Sequence, residues 1–452
     1  MIDSRPDDTS VLAGPRALRY AMRLMGPSIA AGVILRRPAA MAMAEKVGAD
    51  AATLSTMREL RQAHGSAPVQ LRMPGRTMAV VLDPADVHRV LVESPEDFTA
   101  ASREKIGALG PFQPHGVLIS RGRVREQRRA LNEHVLDTPQ PMHHLAVPFV
   151  SVVDEEVDTL LSGASGTLTA DDLLRMWWRI VRRVVLGASA RDDEQVTDRL
   201  RSLRGEGNWS YFGPRRRRLK DAFIDDLYRY VAAAEPNSLA SVIAEARVGG
   251  AVDPVGQIPQ WLFAFDAAGM AAVRALALIA AHPEEGEPAR DEANSGDAGR
   301  PRELPYLRAC LLESLRLWPT TPAILRDSTV DTHWSGPHGT RSIRAGTSFA
   351  ILASGFHRDD EALPFANRFT PRIWLDGTAE KYPQLVPFSA GPVVCPGRNL
   401  VLMSTSAMLA FLLARARVRL SRPMTTDPLP PTLNTYCVEF ALDAVTDTPG
   451  KW

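Results

Sequence analysis

The most conspicuous pattern along the chain is an apolar run from Ile258 to Ala281, with few polar positions on any side, ended by His282-Pro283. Such a run predicts a helix buried all round, with proline stopping it. Asp266 and Arg274 lie within it, which argues against a membrane span. Ala52–His64 has the spacing of an amphipathic helix. Val69–Met73 and Met78–Leu82 alternate as strands about a Pro74-Gly75-Arg76 turn. Asp83 is placed to cap a helix over Ala85–Val92, with Pro84 at its first position. A basic helix is predicted over Arg123–His134, and a helical section over 145–245, interrupted near Gly205–Pro214. Leu304–Leu317 reads as a helix closed by Pro319. Residues 322–352 alternate as strands, with turns at Ser335-Gly336-Pro337 and Ala345-Gly346. Gly397–Ala414 is a last apolar helix, and Val418–Ser421 and Val438–Leu442 are β.

Three stretches lack periodicity. Residues 96–119 predict a long loop, a common place for function. Residues 284–302 are polar and predict a loose, disordered loop, and 377–394 are irregular. Residues 1–50 predict a mobile start and short helices. The apolar stretch Met25–Leu35 is too short to cross a bilayer. No repeat or linker divides the remainder. The expected architecture is therefore mainly α with a small β portion, as a 1–50 extension and one domain over 51–452.

Composition narrows the function classes. The chain has 452 residues, with 53 Lys and Arg against 52 Asp and Glu, a net charge of +1. That balance gives no reason to expect nucleic acid, and Arg215–Arg218 reads as a solvated face. The three cysteines, Cys310, Cys395 and Cys437, form no disulfide framework and fit a reducing cytoplasm. The early Asp3, Arg5, Asp7 and Asp8 are unlike a signal peptide.

The strongest chemical signal is Phe388-Ser389-Ala390-Gly391-Pro392-Val393-Val394-Cys395-Pro396-Gly397, leading into a helix. A thiolate is one of the axial ligands that haem proteins use. A helix N-terminus beside Cys395 would lower its pKa. Gly391 and Gly397 let backbone approach a flat ring, and Phe388 can stack over it. Cys310 and Cys437 read as buried small hydrophobes. Upstream, Glu313 and Arg316 lie three apart in Leu312-Glu313-Ser314-Leu315-Arg316, hence on one helical face.

These motifs resemble those of the cytochrome P450 superfamily of haem-thiolate monooxygenases, in its bacterial soluble form. The likeness runs from about Ala52 to the end. It implies that family's triangular single domain, with haem b between the Ile258–Ala281 helix and the Cys395 loop. It implies Cys395 as the iron ligand and a buried Glu313–Arg316 pair completed by a third arginine, Arg368 or alternatively Arg372. Arg128 and Arg326 would hold the haem propionates. Val393 and Val124 stand where the family usually has propionate partners.

The resemblance also places Asp266 at the family's acidic position. Ala267 falls where a proton-delivering Thr is usual. Proton delivery would then pass to water or a substrate group, or the outcome would be atypical, such as desaturation or coupling. The implied partners are a hydrophobic small molecule, in secondary metabolism, and a separate ferredoxin and ferredoxin reductase. The basic helix with Arg123, Arg125, Arg128 and Arg129 would help to dock the electron donor. A cytoplasmic monomer is expected. The pocket would draw on Phe112, Trp209, Tyr211, Phe263, Ala264, Phe265, Ala268, Thr321 and Ala323. Two alternatives stand beside this reading: a non-catalytic haem carrier or sensor, and a peroxide-driven haem-thiolate enzyme.

Overall fold

The apolar run forms a single helix, Ile258–Ala281, with the predicted bounds. Its length and hydropathy would suit a membrane span, but 78% of its most apolar window is buried inside the protein. Neighbours hold it by its polar groups. Trp177 Nε1, on the Ala170–Leu186 helix, donates to Phe265 O at 2.7 Å. Ser314 Oγ, on the Pro305–Leu317 helix, donates to Ala271 O at 3.0 Å. Arg274 donates to Trp318 O and to Thr435 Oγ1, both at 2.6 Å. Gly269 is required by this packing, because a Cβ there would lie 2.4 Å from Trp177 Cδ1. Apolar burial drives the helix inward, and these bonds fix its rotation.

This structure is a computed structural model describing residues 10–32, 34–209, 216–296, 299–336 and 339–444. Tyr211, Arg215 and Pro337 lie outside the described residues. Helices dominate, and the strands are β1 (Val11–Ala13), β2 (Val69–Met73), β3 (Arg76–Val80), β4 (Phe98–Thr99), β5 (Thr167–Thr169), β6 (Ala323–Ser328), β7 (Thr332–Gly336), β8 (Gly339–Ile343), β9 (Ser348–Leu352), β10 (Ala416–Leu420) and β11 (Glu439–Ala444). The main sheet runs β1-β2-β3-β9-β6-β4, a smaller one runs β10-β11-β5, and β7 pairs with β8. Asp83 caps its helix as predicted, accepting from Ala85 N at 2.8 Å.

Three sequence expectations are corrected. Residues 10–32 pack onto the domain instead of extending from it: β1 pairs in parallel with β2, and Ala17, Ala21 and Leu24 of the Gly14–Ala31 helix join the sheet's apolar core. A one-sided apolar stripe needs a partner surface, and here the sheet supplies it. Pro283–Asn294 is a helix rather than a loose loop. Pro283 starts it and Glu284 and Glu285 sit in its first turn. Ala289 and Ala293 pack into the main core. The 96–119 stretch contains β4 and a helix, Arg103–Leu109, whose Ser102 Oγ accepts from Lys105 N at 3.3 Å.

The Pro305–Leu317 helix holds a fully enclosed ion pair. Glu313 and Arg316 are both 0% exposed. Arg316 donates to Glu313 from Nε at 2.7 Å and Nη2 at 2.6 Å. Its remaining N–H groups reach the carbonyls of His357, Phe365, Ala366 and Arg368. Glu313 accepts from Thr370 N and Trp374 Nε1, each at 2.9 Å. The third partner is therefore Trp374 and not an arginine. Arg368 offers its carbonyl, while its guanidinium donates outward to Pro364 O, and Arg372 is exposed. With Arg316 already neutralising Glu313, a further buried cation would carry an uncompensated charge.

Removing either partner strands the other charge in the core. Glu313→Ala or Arg316→Ala should cost about 3–5 kcal/mol. Chemical denaturation would show this as a much lower midpoint or as insoluble protein. A soluble variant with the parental midpoint contradicts this reading of the pair.

Candidate functional site

The 388–397 loop is shaped by its own backbone. Ser389 and Gly391 take left-handed conformations, with φ of 63 and 66 degrees. At Gly391 a Cβ would lie 2.2 Å from Leu91 O, so only glycine fits. Cys395 N donates to Phe388 O and Val394 N to Gly391 O, both at 3.0 Å. The loop is also tied from outside. Arg129 Nη1 donates to Val394 O at 2.7 Å, and Thr138 Oγ1 to Pro396 O at 2.8 Å. The helix Arg398–Arg415 begins immediately after it. Gly397 has no comparable crowding, since a Cβ there would meet only Leu136 at 3.9 Å.

Cys395 is half-buried at this helix start. Burial pushes its thiol up, while the Gly397 N–H, Arg129 and Arg398 pull it down. Burial wins in the protein alone, contrary to the lowering expected from the helix terminus. A bound metal cation would be the group that holds the sulfur as thiolate. Phe388 is partly buried and packs on the main core. Cys310 is buried as expected, whereas Cys437 is exposed.

Cations gather beside this loop. Arg326 is 3% exposed and donates to Ser94 Oγ, Ser389 Oγ and Leu325 O. Lys105 Nζ donates to the same Leu325 O at 3.0 Å. Burial, with Arg125 nearby, brings the Arg326 guanidinium down to about 10. Burial, with Arg326 nearby, also drives the Lys105 ammonium well below its ordinary value. Among the described residues no carboxylate pairs with Arg326 or Arg125. Buried cations without acids are costly, and a ligand bearing carboxylates relieves that cost by charge-assisted bonds. The haem expected from the resemblance, with its propionates, fits this cluster.

Arg128 is placed differently from the expectation. Its guanidinium donates to Ser120 Oγ at 2.7 Å, Ala251 O at 3.0 Å and Val252 O at 3.1 Å. It clamps the segment leading into the central helix. Arg125, also on the Gly122–Val135 helix, and Lys105 are the better candidates beside Arg326. The basic helix is also a poorer docking face than its charges imply. Arg125 and Arg128 are buried and Arg129 is bonded to the loop, which leaves Arg123 exposed.

On the central helix, Phe263, Ala264, Asp266 and Ala267 retain partial exposure amid buried neighbours. Phe112 lies edge-on to Phe263, with centroids 5.9 Å apart. Phe265 instead turns to Trp177, and Ala268 is 5% exposed within the main core. Asp266 Oδ2 accepts from Arg204 Nη2 at 2.6 Å, and the Arg204 guanidinium lies 4.9 Å over Phe263. Trp209 is corrected as a pocket residue: it is 59% exposed, with Arg37 over its ring. Thr321 is exposed, and Ala323 packs against the sheet core.

The roles of Arg326 and Arg128 can be separated. Hydrogen bonds to charged groups contribute about 1.5–3 kcal/mol. Arg326→Ala should therefore weaken haem binding roughly tenfold to a hundredfold. Arg128→Ala should lower the unfolding midpoint and leave haem affinity near the parental value. Haem transfer to an acceptor protein measures the first effect and denaturation the second. Haem loss in Arg128→Ala with retention in Arg326→Ala reverses the assignment.

Comparison with known proteins agrees with the fold. The family model "Cytochrome P450" matches residues 40–202 and 271–438. Cyclooctat-9-en-7-ol 5-monooxygenase of Streptomyces melanosporofaciens is 33% identical over 150 residues, 31% of this chain and 32% of that protein. Cytochrome P450 monooxygenase pvhE of Talaromyces variabilis is 30% identical over 159 residues, 31% of this chain and 29% of that protein. The matched segments thus span about a third of these relatives' lengths. The solved structure of retinoic acid bound cyanobacterial CYP120A1 superposes with a TM-score of 0.70 at 17% identity, over 86% of this chain and 94% of that one. With the Cys395 loop, the buried Glu313–Arg316 pair and a family match along most of its length, the chain belongs to the cytochrome P450 family, whose members carry haem.

Proposed function

We propose that this protein is a monooxygenase that oxidises a hydrophobic small molecule in secondary metabolism, as a cytoplasmic monomer. The observation that carries this reading is the half-buried Cys395 at a helix start, beside the buried Arg326, which no carboxylate among the described residues pairs with. Relatives named as monooxygenases support it. Bound haem b supplies the redox chemistry that activates dioxygen. Electrons would come from a separate ferredoxin and its reductase, the donors that the family resemblance implies.

In this reading Cys395 holds the iron through its thiolate, and Arg326, Lys105 and Arg125 orient the propionates. Phe112, Phe263, Ala264 and Ala267 give the substrate an apolar wall, which suits a hydrophobic ligand. Ala267 offers no hydroxyl, so Asp266 is the acid that moves protons. It accepts a hydrogen bond from Arg204 Nη2 at 2.6 Å. Delivering a proton therefore requires Asp266 to leave Arg204 and to reach water or a polar group on the substrate. The missing hydroxyl also favours a second reading, a haem protein that carries or senses a ligand without turnover, or an atypical outcome such as desaturation or coupling.

Asp266→Asn keeps the shape and removes the ionisable group. Product formation should fall about 10²–10⁴-fold, with haem content and substrate binding retained and hydrogen peroxide rising in place of product. Ala267→Thr should improve coupling where water alone is the donor, and should not where a substrate group fills that space. Product formation by Asp266→Asn at the parental rate and coupling removes Asp266 from proton delivery. A parent protein that binds ligands yet makes no product with ferredoxin and reductase is the carrier.

A further inference from the structure

Just after the Gly122–Val135 helix, three potential metal ligands converge. Asp137, His143 and His144 each offer one donor atom, all within 4.8 Å of one another. Asp137 Oδ2 lies 2.6 Å from His144 Nδ1 and 3.8 Å from His143 Nδ1. We propose that this cluster is a zinc site with three protein ligands and an open fourth position.

The local structure prepares the donors. Asp137 follows the Gly122–Val135 helix and holds a left-handed φ of 46 degrees, which turns the chain back toward the histidines. His143 has a side chain only 1% exposed. Its Nε2 lies 3.0 Å from Val135 O, which makes Nε2 the donor and leaves the Nδ1 lone pair toward the cluster. A carbonyl behind a histidine is the usual device for fixing a metal-binding tautomer. The His143 and His144 rings stack with centroids 4.4 Å apart.

Two nitrogens and one carboxylate oxygen are a typical zinc donor set, and three protein ligands leave a position for water. Without metal the groups occupy one another. His144 Nδ1 shares a proton with Asp137, and Leu145 N donates to His143 Nδ1 at 3.0 Å. Zinc would replace both bonds, with His144 moving its proton to Nε2. The position gives the site a consequence. Thr138, next to Asp137, donates to Pro396 O and accepts from Asn399 Nδ2 at 2.9 Å. A metal at Asp137 would brace the turn on which the Cys395 loop leans.

The test uses the haem-loaded full chain, so that Cys395 is occupied, with zinc sulfate as probe. Calorimetric titration and metal analysis after dialysis should give one tight zinc per chain. His144→Ala removes an exposed ligand, and Asp137→Asn keeps a residue that tolerates the left-handed turn. Each should raise the zinc Kd at least about tenfold, because even partners behind a ligand contribute that much. Zinc should raise the thermal midpoint of the parent and of neither variant. No retained zinc, or parental affinity in either variant, overturns the proposal.

Discussion

Arg316 has no access to water, and an ionised guanidinium in that position demands acceptors on every side. Glu313 supplies two, and the carbonyls of His357, Phe365, Ala366 and Arg368 supply the rest. Leaving any of these N–H groups unpaired would cost about 1–3 kcal/mol or more, so the 357–374 segment is drawn around the Pro305–Leu317 helix. Thr370 and Trp374 then complete the carboxylate. From that anchored segment the chain runs on to the 388–397 loop. The placing of Cys395 thus depends on a charge satisfied some twenty residues or more earlier in sequence. The pair is a constraint on chain path more than a source of stability, since buried ion pairs barely repay their desolvation.

A second constraint is electrostatic and points the other way. Arg326, Lys105 and Arg125 are held where burial disfavours charge, and it outweighs the acids near Lys105 and Arg125, while Arg326 has none. The protein accepts that cost beside the same loop whose thiol is also pushed toward its neutral form by burial. Buried cations next to a buried thiol at a helix start are complementary to one ligand carrying both an iron and carboxylates. Each feature is weak alone, and their proximity through Ser389 and Leu325 is what makes them a site.

Much of this was legible in the sequence where the signal is local. The Ile258–Ala281 helix is bounded as its apolar run requires, and Gly391 sits in a left-handed turn that only glycine fits. What escaped was tertiary. Arg128 and Arg125 are three residues apart on one helix, and sequence cannot say that Arg128 meets the carbonyls of Ala251 and Val252 while Arg125 lies toward Arg326. Lys105 was hidden in a stretch read as loop. Trp374 was missed as the Glu313 partner because an indole N–H serves a buried carboxylate without adding charge, whereas the pattern pointed to Arg368. Pro283–Asn294 looked loose because its composition is polar, yet Ala289 and Ala293 pack into the core and Glu292 accepts from the N–H groups of Tyr306 and Leu307.

The central claim is that Cys395 is the iron ligand. The most direct measurement is the absorption spectrum of the reduced carbon monoxide complex in the parent and in Cys395→Ser, Cys310→Ser and Cys437→Ser. A thiolate opposite carbon monoxide gives a strongly red-shifted Soret band, and the account predicts that band in the parent and in the Cys310 and Cys437 variants. It predicts loss of the band in Cys395→Ser. A Cys395→Ser protein that keeps it would contradict the assignment.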